Sequence, residues 1–543
     1  MRQLIFVVFS GRILWHKANE RLCVCREMII KYRYDSTVNR FYLSPDNLMT
    51  LHLRRLVLPV LAVFCLQIST AAAQSGIPSM GDTARGELTP VAEYKLGKEI
   101  MQQIKGDPAY VNDLVLSEYL SNLGNRLVAA NAETRGELAN DFTFFAIRDG
   151  TLNAFALPGG FIGVHTGLLL ATQSESELAS VLSHEIGHVS QRHIARMMGQ
   201  AKQDMLIPIA SVVLAILAAQ ASADAAGAVL MGGQGYALQR QINFTRDAEK
   251  EADRVGFQIL KGAGFDTTGM TTFFQRMQTA TRTYSDAPSP YLRTHPLTAD
   301  RIADIEARVR HEPYRQHADD IDFYLVKANA RIDQDDSEPA LHNAATVFEE
   351  QVKSGSRIQM TAGNYGLALI AFHRKNPSEA KSYLQLAKKS AGNAAAKSLA
   401  LNSLSIEILL ESGQAAEAVR EARSAMNRFP SSRAIAHLYA SSLYASRRYE
   451  EAAKYLRKQA QSYRDDPDLQ RQLAKVYDAQ GKKALMHMAL AESYGLVGAY
   501  QAALEQLKMA RQAPDVSFYD QSMIDARERE WKKIIRDSLK EKS

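Results

Sequence analysis

Apolar positions return at helical spacing in AEYKLGKEIMQQI (92–104) and SEYLSNLGNRLVAA (117–130), so residues 88–131 are expected to form helices. The texture then changes. DFTFFAIRDG (141–150) and TLNAFALPGGFIGVHTG (151–167) are rich in β-formers and punctuated by Gly and Pro, which predicts a few short strands. Helical periodicity resumes over 169–199 and again over 245–280. Residues 74–320 therefore read as an α+β domain, mostly helical with a small sheet.

Beyond about residue 320 the chain is Ala-rich, Leu-rich, helical and self-similar. GQAAEAVREA from Gly413 aligns with RRYEEAAKYL from Arg447. The offset matches the ~34-residue period of the helix-turn-helix tetratricopeptide unit. NPSEAKSYLQLA (376–387) and GAYQAALEQLKMA (498–510) are related but fall at offsets that are not clean multiples of that period, which gives about four irregular units. An all-α tetratricopeptide solenoid is expected over 321–525, followed by a charged tail, 526–543. Such arrays bury a common core and curve into a groove that takes peptide or protein surfaces. A generic helical bundle is the competing reading.

The stretch MTLHLRRLVLPVLAVFCLQISTAAAQS (49–75) has the three parts of a secretory signal. Arg54 and Arg55 form the basic start, Leu56 to Leu66 the apolar run, and Ala71 to Ala73 the small-residue cleavage site. The apolar run is about half of the ~20 residues a bilayer span needs. Residues 1–48 resemble neither a signal nor a domain; they read as a misassigned upstream extension, with Met49 as the true start.

The net charge of +6 changes meaning once this leader is set aside. Residues 1–73 hold ten Lys and Arg against four Asp and Glu, so the remainder carries fifty-five of each. A balanced mature chain excludes nucleic acid as a partner. Cys23, Cys25 and Cys65 also precede residue 74, leaving no thiol as nucleophile or metal ligand.

Candidate chemistry centres on VLSHEIGHVS (181–190). Residues four apart differ by about 40° around a helix, so His184 and His188 project from one face. Two neutral imidazoles at that spacing reach a single zinc, and Glu185 is placed as general base toward water. A catalytic site needs a third ligand. His193 lies nine residues after His184, about half a turn round a continuous helix, and is expected to face away. Ile194 and Gln191 stand where a metzincin requires His and Gly, which excludes that class. RDAEKEADRVGF (246–257) supplies the better candidate, with Glu249 and Asp253 four apart. Glu249 completes a His-His-Glu set, and Asp253 is placed to accept an N–H from a liganding imidazole. Glu251, about 160° off that face, is expected to meet solvent.

HEIGHVSQRH, followed some sixty residues later by EKEAD, resembles the HtpX-like and CAAX-prenyl-protease-like gluzincins, zinc peptidases whose third ligand is a glutamate. The resemblance covers most of 85–525. Together with the leader and the repeats it implies a periplasmic endopeptidase of envelope quality control, holding one zinc per chain. The implied substrates are outer-membrane β-barrel proteins, with their insertion complex as a partner of the repeats. It further implies that LNAFALPGG (152–160) is the edge strand beside the zinc, with Asn153 and Ala154 as backbone contacts for a peptide. LRTHPLTADR (292–301) brings His295, which either stabilises the oxyanion or fills the open zinc position and holds the enzyme inactive. Arg301 either anchors Asp253 or meets the substrate.

One apolar run remains. MLIPIASVVLAILAAQA (205–221) is 17 residues without a charge. His188 before it and Glu249 after it must reach one ion, so a single membrane crossing is excluded. The expectation is a helical hairpin over the cleft or at the membrane surface, with a buried structural hairpin as the alternative. A second function class also stands: a repeat-based chaperone or assembly scaffold with a non-catalytic zinc.

Overall fold

A computed structural model describes residues 88–131, 141–204, 245–284 and 290–541. The leader, the extension before it and the apolar run 205–221 lie outside the described residues.

The chain opens with α1 (Pro90–Lys105) and α2 (Leu114–Ala129). Asp113 caps α2 by accepting the N–H groups of Val115 and Leu116 at 2.7 and 3.2 Å, two of the donors that a helix start leaves unpaired. Three strands follow: β1 (Thr143–Ile147), β2 (Ala154–Leu157) and β3 (Phe161–His165). Their order is β1-β3-β2, with β1 parallel and β2 antiparallel to β3. β2 is thus an edge strand, as the family resemblance implied.

The helix expected over 169–199 is broken twice. α3 (Thr166–Ala171) stops at an extended Thr172, and Ser174 then caps α4 (Glu175–Ser190) by accepting the N–H of Glu177. α4 ends in a turn whose Arg192 has a φ of 53°, and α5 (His193–Asp204) sets off in a new direction. The second expected helix, 245–280, likewise splits into α6 (245–262) and α7 (Thr268–Tyr284). α8 (Pro290–Thr294) and α9 (Ala299–Arg310) complete this half; Thr298 caps α9. β2 packs on α4, which places the sheet edge beside the helix that carries HEIGH.

Then come α10 (Ile321–Gln334), α11 (Glu338–Lys353), α12 (Arg357–His373), α13 (Pro377–Ala391), α14 (Leu399–Glu411) and α15 (Ala415–Arg428). They continue as α16 (Arg433–Ala445), α17 (Tyr449–Ser462), α18 (Pro467–Ala479), α19 (Lys483–Leu496), α20 (Tyr500–Gln512) and α21 (Phe518–Glu541). Pairs α12–α13, α14–α15, α16–α17 and α18–α19 are antiparallel hairpins. Each turns at a left-handed residue: Lys375, Gly413, Arg447 and Gly481. The last three recur at one even interval, which is the tetratricopeptide period. The segment at 498–510 forms α20, which packs on α19 across a further left-handed residue, Gly498.

Residues 79–543 form one compact unit. Its principal apolar core runs from Val111 to Ala489, so the two halves are not separately cored. α10 packs on α2 and α3 as well as on α12. Asn329 on α10 donates to Asp113 Oδ2 at 2.6 Å and accepts from the Tyr365 hydroxyl at 2.9 Å.

The left-handed hairpin residues make a test. Only glycine adopts φ near +60° without a Cβ penalty, which amounts to about 1–2 kcal/mol for other residues. Arg447→Gly is expected to raise the denaturation midpoint, its gain reduced by the entropy of the freer unfolded chain. Gly481→Ala is expected to cost about 1 kcal/mol. Paired urea and thermal melts check both.

Candidate metal centre

The motif helix and the acidic helix meet where neither has a side chain. A Cβ on Gly187 of α4 would lie 2.9 Å from the Ala252 carbonyl oxygen, and one on Gly256 of α6 would lie 3.0 Å from the His184 backbone. The two glycines let the backbones touch. His184, Glu185, Glu249 and Asp253 are all buried at that crossing.

His184, His188, Glu249 and His295 bring one potential ligand atom each into a single cluster. The two imidazole Nε2 atoms are 3.0 Å apart. Glu249 reaches them at 3.3 and 3.4 Å, and His295 Nδ1 lies 2.9 Å from Glu249 Oε1 and 3.4 Å from His184 Nε2. Ligand atoms set tetrahedrally about 2.0–2.1 Å from one centre are about 3.3 Å from each other. The donor set therefore fits a tetrahedral cation: nitrogen and carboxylate oxygen at tetrahedral spacing, with nothing but histidines and a glutamate to share it.

The next layer orients these groups. Asp253 Oδ1 is 3.0 Å from His184 Nδ1, the nitrogen that does not face the cluster. A proton held there leaves Nε2 free as a ligand. Arg301 donates to both Asp253 oxygens at 2.6 and 2.8 Å, stands 2.9 Å from Glu249 and donates to the Pro296 carbonyl. Of the two roles open for Arg301, the structure brings out the anchor to Asp253. Burial works against a charged His184, but Asp253 and Glu249 outweigh it and hold its pKa up at about 10. Burial pushes His188 down to about 3. Glu249, despite its burial, is held well below the usual carboxylate range by the three histidines.

Glu185 is the exception in this network. It is fully buried, and neither of its oxygens has a hydrogen-bond partner among the described residues; the nearest basic group is His295 Nε2 at 3.7 Å. Buried polar groups are nearly always paired, so this carboxyl is held in a destabilised place.

Two expectations need correction. His193 does not face away: because α4 ends at Ser190 and the chain turns at Arg192, its Nδ1 comes 2.8 Å from His188 Nδ1. Glu251 does not meet solvent either. It lies 3.1 Å from His193 Nε2 and 2.8 Å from Arg196, so His188 is backed by a His–Glu–Arg chain that mirrors the Asp253–Arg301 support of His184. Sequence spacing missed it because the spacing argument assumed an unbroken helix. On the strand side, the Asn153 carbonyl accepts the His165 N–H at 3.0 Å and so faces β3. Antiparallel alternation then turns the main chain of the next residue, Ala154, toward the open edge.

This geometry defines a metallopeptidase-type centre joined to a tetratricopeptide array. A family model described as "Peptidase family M48" matches residues 116–309, and one described as "Tetratricopeptide repeat" matches 409–476. A "Putative beta-barrel assembly-enhancing protease" from Vibrio cholerae is 39% identical over 62% of this chain and 69% of its own. The "Beta-barrel assembly-enhancing protease" of Escherichia coli K12 is 32% identical over 87% of this chain and 95% of its own. "Mitochondrial metalloendopeptidase OMA1" of Schizosaccharomyces pombe is 31% identical over 38% of this chain and 57% of its own. The chain belongs to peptidase family M48, and it is a metalloendopeptidase homologous to the beta-barrel assembly-enhancing proteases.

The glycine contact gives the test for this centre. Gly256→Ala is expected to force α6 off α4, costing about 1–3 kcal/mol of stability. Divalent-metal affinity, measured by competition with a chromophoric chelator, falls with it; unchanged affinity would count against the close approach as what forms the ligand set.

Proposed function

We propose that this chain is an exported zinc endopeptidase in which His184, His188 and Glu249 hold the ion and Glu185 is the catalytic base. The observation that carries this reading is Glu185 itself: a buried, unpartnered carboxyl beside a four-residue ligand cluster. A structural metal site has no use for such a group. Zinc, when bound, supplies Lewis acidity that makes water a nucleophile near neutral pH. Glu185 then accepts the proton of the attacking water and passes it to the leaving amine. Asp253 holds the tautomer of His184, and Arg301 fixes Asp253. The open side of β2, at Ala154, is where an extended substrate adds as a strand, with Asn153 at the strand's start.

His295 has two readings, and its position favours one. Its Nδ1 stands at ligand spacing from His184 and Glu249, where a water or substrate oxygen has to enter. In this arrangement His295 is the fourth ligand of a latent site, and activity requires it to withdraw.

The leader at 49–73 directs the protein to the periplasm, in keeping with the β-barrel assembly named in its relatives. The peptidase domain is 74–320, the repeats 321–525 and the tail 526–543. Among the described residues no helix is long and apolar enough to cross a membrane. Substrates in this reading are misfolded or stalled outer-membrane β-barrel proteins, and the repeats engage them or their insertion complex. The competing scaffold reading needs the repeats alone.

Glu185→Gln separates the two. With one zinc retained per chain by metal analysis, casein or unfolded-porin cleavage is expected to fall by about 10²–10⁴-fold. A variant that cleaves as fast as the parent would remove Glu185 from the chemistry. His295→Ala is expected to raise cleavage several-fold if His295 plugs the site. A loss of roughly 10²–10³-fold would instead make it the oxyanion donor.

A further inference from the structure

The first helices of successive repeat pairs present equivalent side chains along one inner face. Leu369, Ser403 and His437 follow one another at a single repeat period, and so do His373, Glu407 and Ser441. All six line one cavity of about 380 Å³, which the start of α2 closes from the peptidase side with Asp113 and Leu114. Asp333, one turn beyond Asn329 on α10, completes it.

This cavity is acidic and unsatisfied. Asp113, Asp333 and Glu407 share it, and its lining includes no lysine or arginine among the described residues. Ser403 is 1% exposed and its hydroxyl has no partner; Asp333 Oδ2 and Gln472 Oε1, which line the same space, are also buried without one. Glu407 makes no hydrogen bond or ion pair with any described residue. Burial pushes Asp333 and Glu407 up to about 7, and Asp113 adds to the push on both; Arg148 pulls Asp333 the other way without lining the cavity. Half-buried carboxyls without a cationic partner lose part of their hydration, a cost that an apolar replacement would not carry.

We propose that this cavity is a binding site for a lysine or arginine side chain of an extended protein segment laid along the inner face of the repeats. Unpaired carboxyls, a free hydroxyl and a free amide oxygen are acceptors awaiting a donor with several N–H groups, which an ammonium or guanidinium provides. Leu369, Leu404, Leu438 and Phe372 give walls for the aliphatic stem of such a side chain. A bare metal ion is a poorer match, because these carboxylates do not converge into a ligand cluster as those around His184 do. A peptide has somewhere to continue: a second cavity of about 250 Å³ shares Asn112, Leu114, His437 and Gln472 and adds Asp468, Arg471 and Lys475. The proposal rests on the reading of the repeats as the part that engages protein, and not on the peptidase chemistry.

The probe is a fluorescein-labelled, unstructured dodecapeptide of Ala, Ser and Gly with lysine at every third position. Its control is the same peptide with the lysines acetylated. Anisotropy is measured at physiological salt on the full chain carrying Glu185→Gln, so that binding is read without cleavage. The lysine peptide is expected to bind at least tenfold more tightly than the acetylated one. Asp333→Asn combined with Glu407→Gln is expected to remove that difference. Equal affinity for the two peptides, no binding of either, or lysine-peptide binding undiminished by the double variant would each overturn the proposal. Should the double variant fail to fold, a benzophenone at the peptide centre decides on the parent chain. Cross-links within 365–472 support the site, and cross-links confined elsewhere sink it. A chain that binds the peptide but cleaves nothing would fault the peptidase reading alone.

Discussion

Three side chains from two helices far apart in sequence share one centre only if the helix backbones touch. In this chain Gly187 and Gly256 make that contact, each facing the backbone of the other helix. The glycine inside HEIGH is thus as much a part of the centre as the histidines around it. With the axes so close, His184 and His188 reach across to Glu249 while Asp253, one turn on, meets the back of His184. Everything else about the site is support for this crossing.

That support is electrostatic, and it is costly. Glu249, Asp253 and Glu185 bring three carboxyls into one buried place. Arg301 from α9 compensates two of them at once, with Phe274 beneath its guanidinium. Breaking such a buried network strands the remaining charges, which is why each member depends on the others. A parallel chain, His193–Glu251–Arg196, supports the second histidine. Glu185 is left out of both chains, and neither of its oxygens has a hydrogen-bond partner among the described residues.

The two halves of the molecule are joined through α10 rather than through a linker. Lys327 on α10 donates to the Thr172 carbonyl at the end of α3, Gln334 donates to Thr166, and Glu118 of α2 accepts the Ala434 N–H at the start of α16. The repeats therefore do not swing as an independent arm in this arrangement. Their inner face is closed on one side by the start of a peptidase helix, so whatever the repeats hold is held beside the domain that cuts.

Much of this was legible in the chain. The helical period and the repeat period are both local, and they placed the helices and the repeat hairpins. HEIGH and EKEAD each put their ligands on one helical face by spacing alone, whereas the edge strand was implied only by the family resemblance. What was not legible depended on where a regular element stops. A single left-handed residue, Arg192, bends the chain so that His193 returns to the site, and a one-face argument for Glu251 fails when a second helix stands there. Of the roles open to Arg301 and His295, sequence could not choose, since both arrive from a separate segment whose position only packing sets. Local periodicity decided the elements and the ligand pairs; the tertiary structure decided which carboxyl of the centre is left without a hydrogen bond, because a partner far along the chain is found only when the backbones are in place.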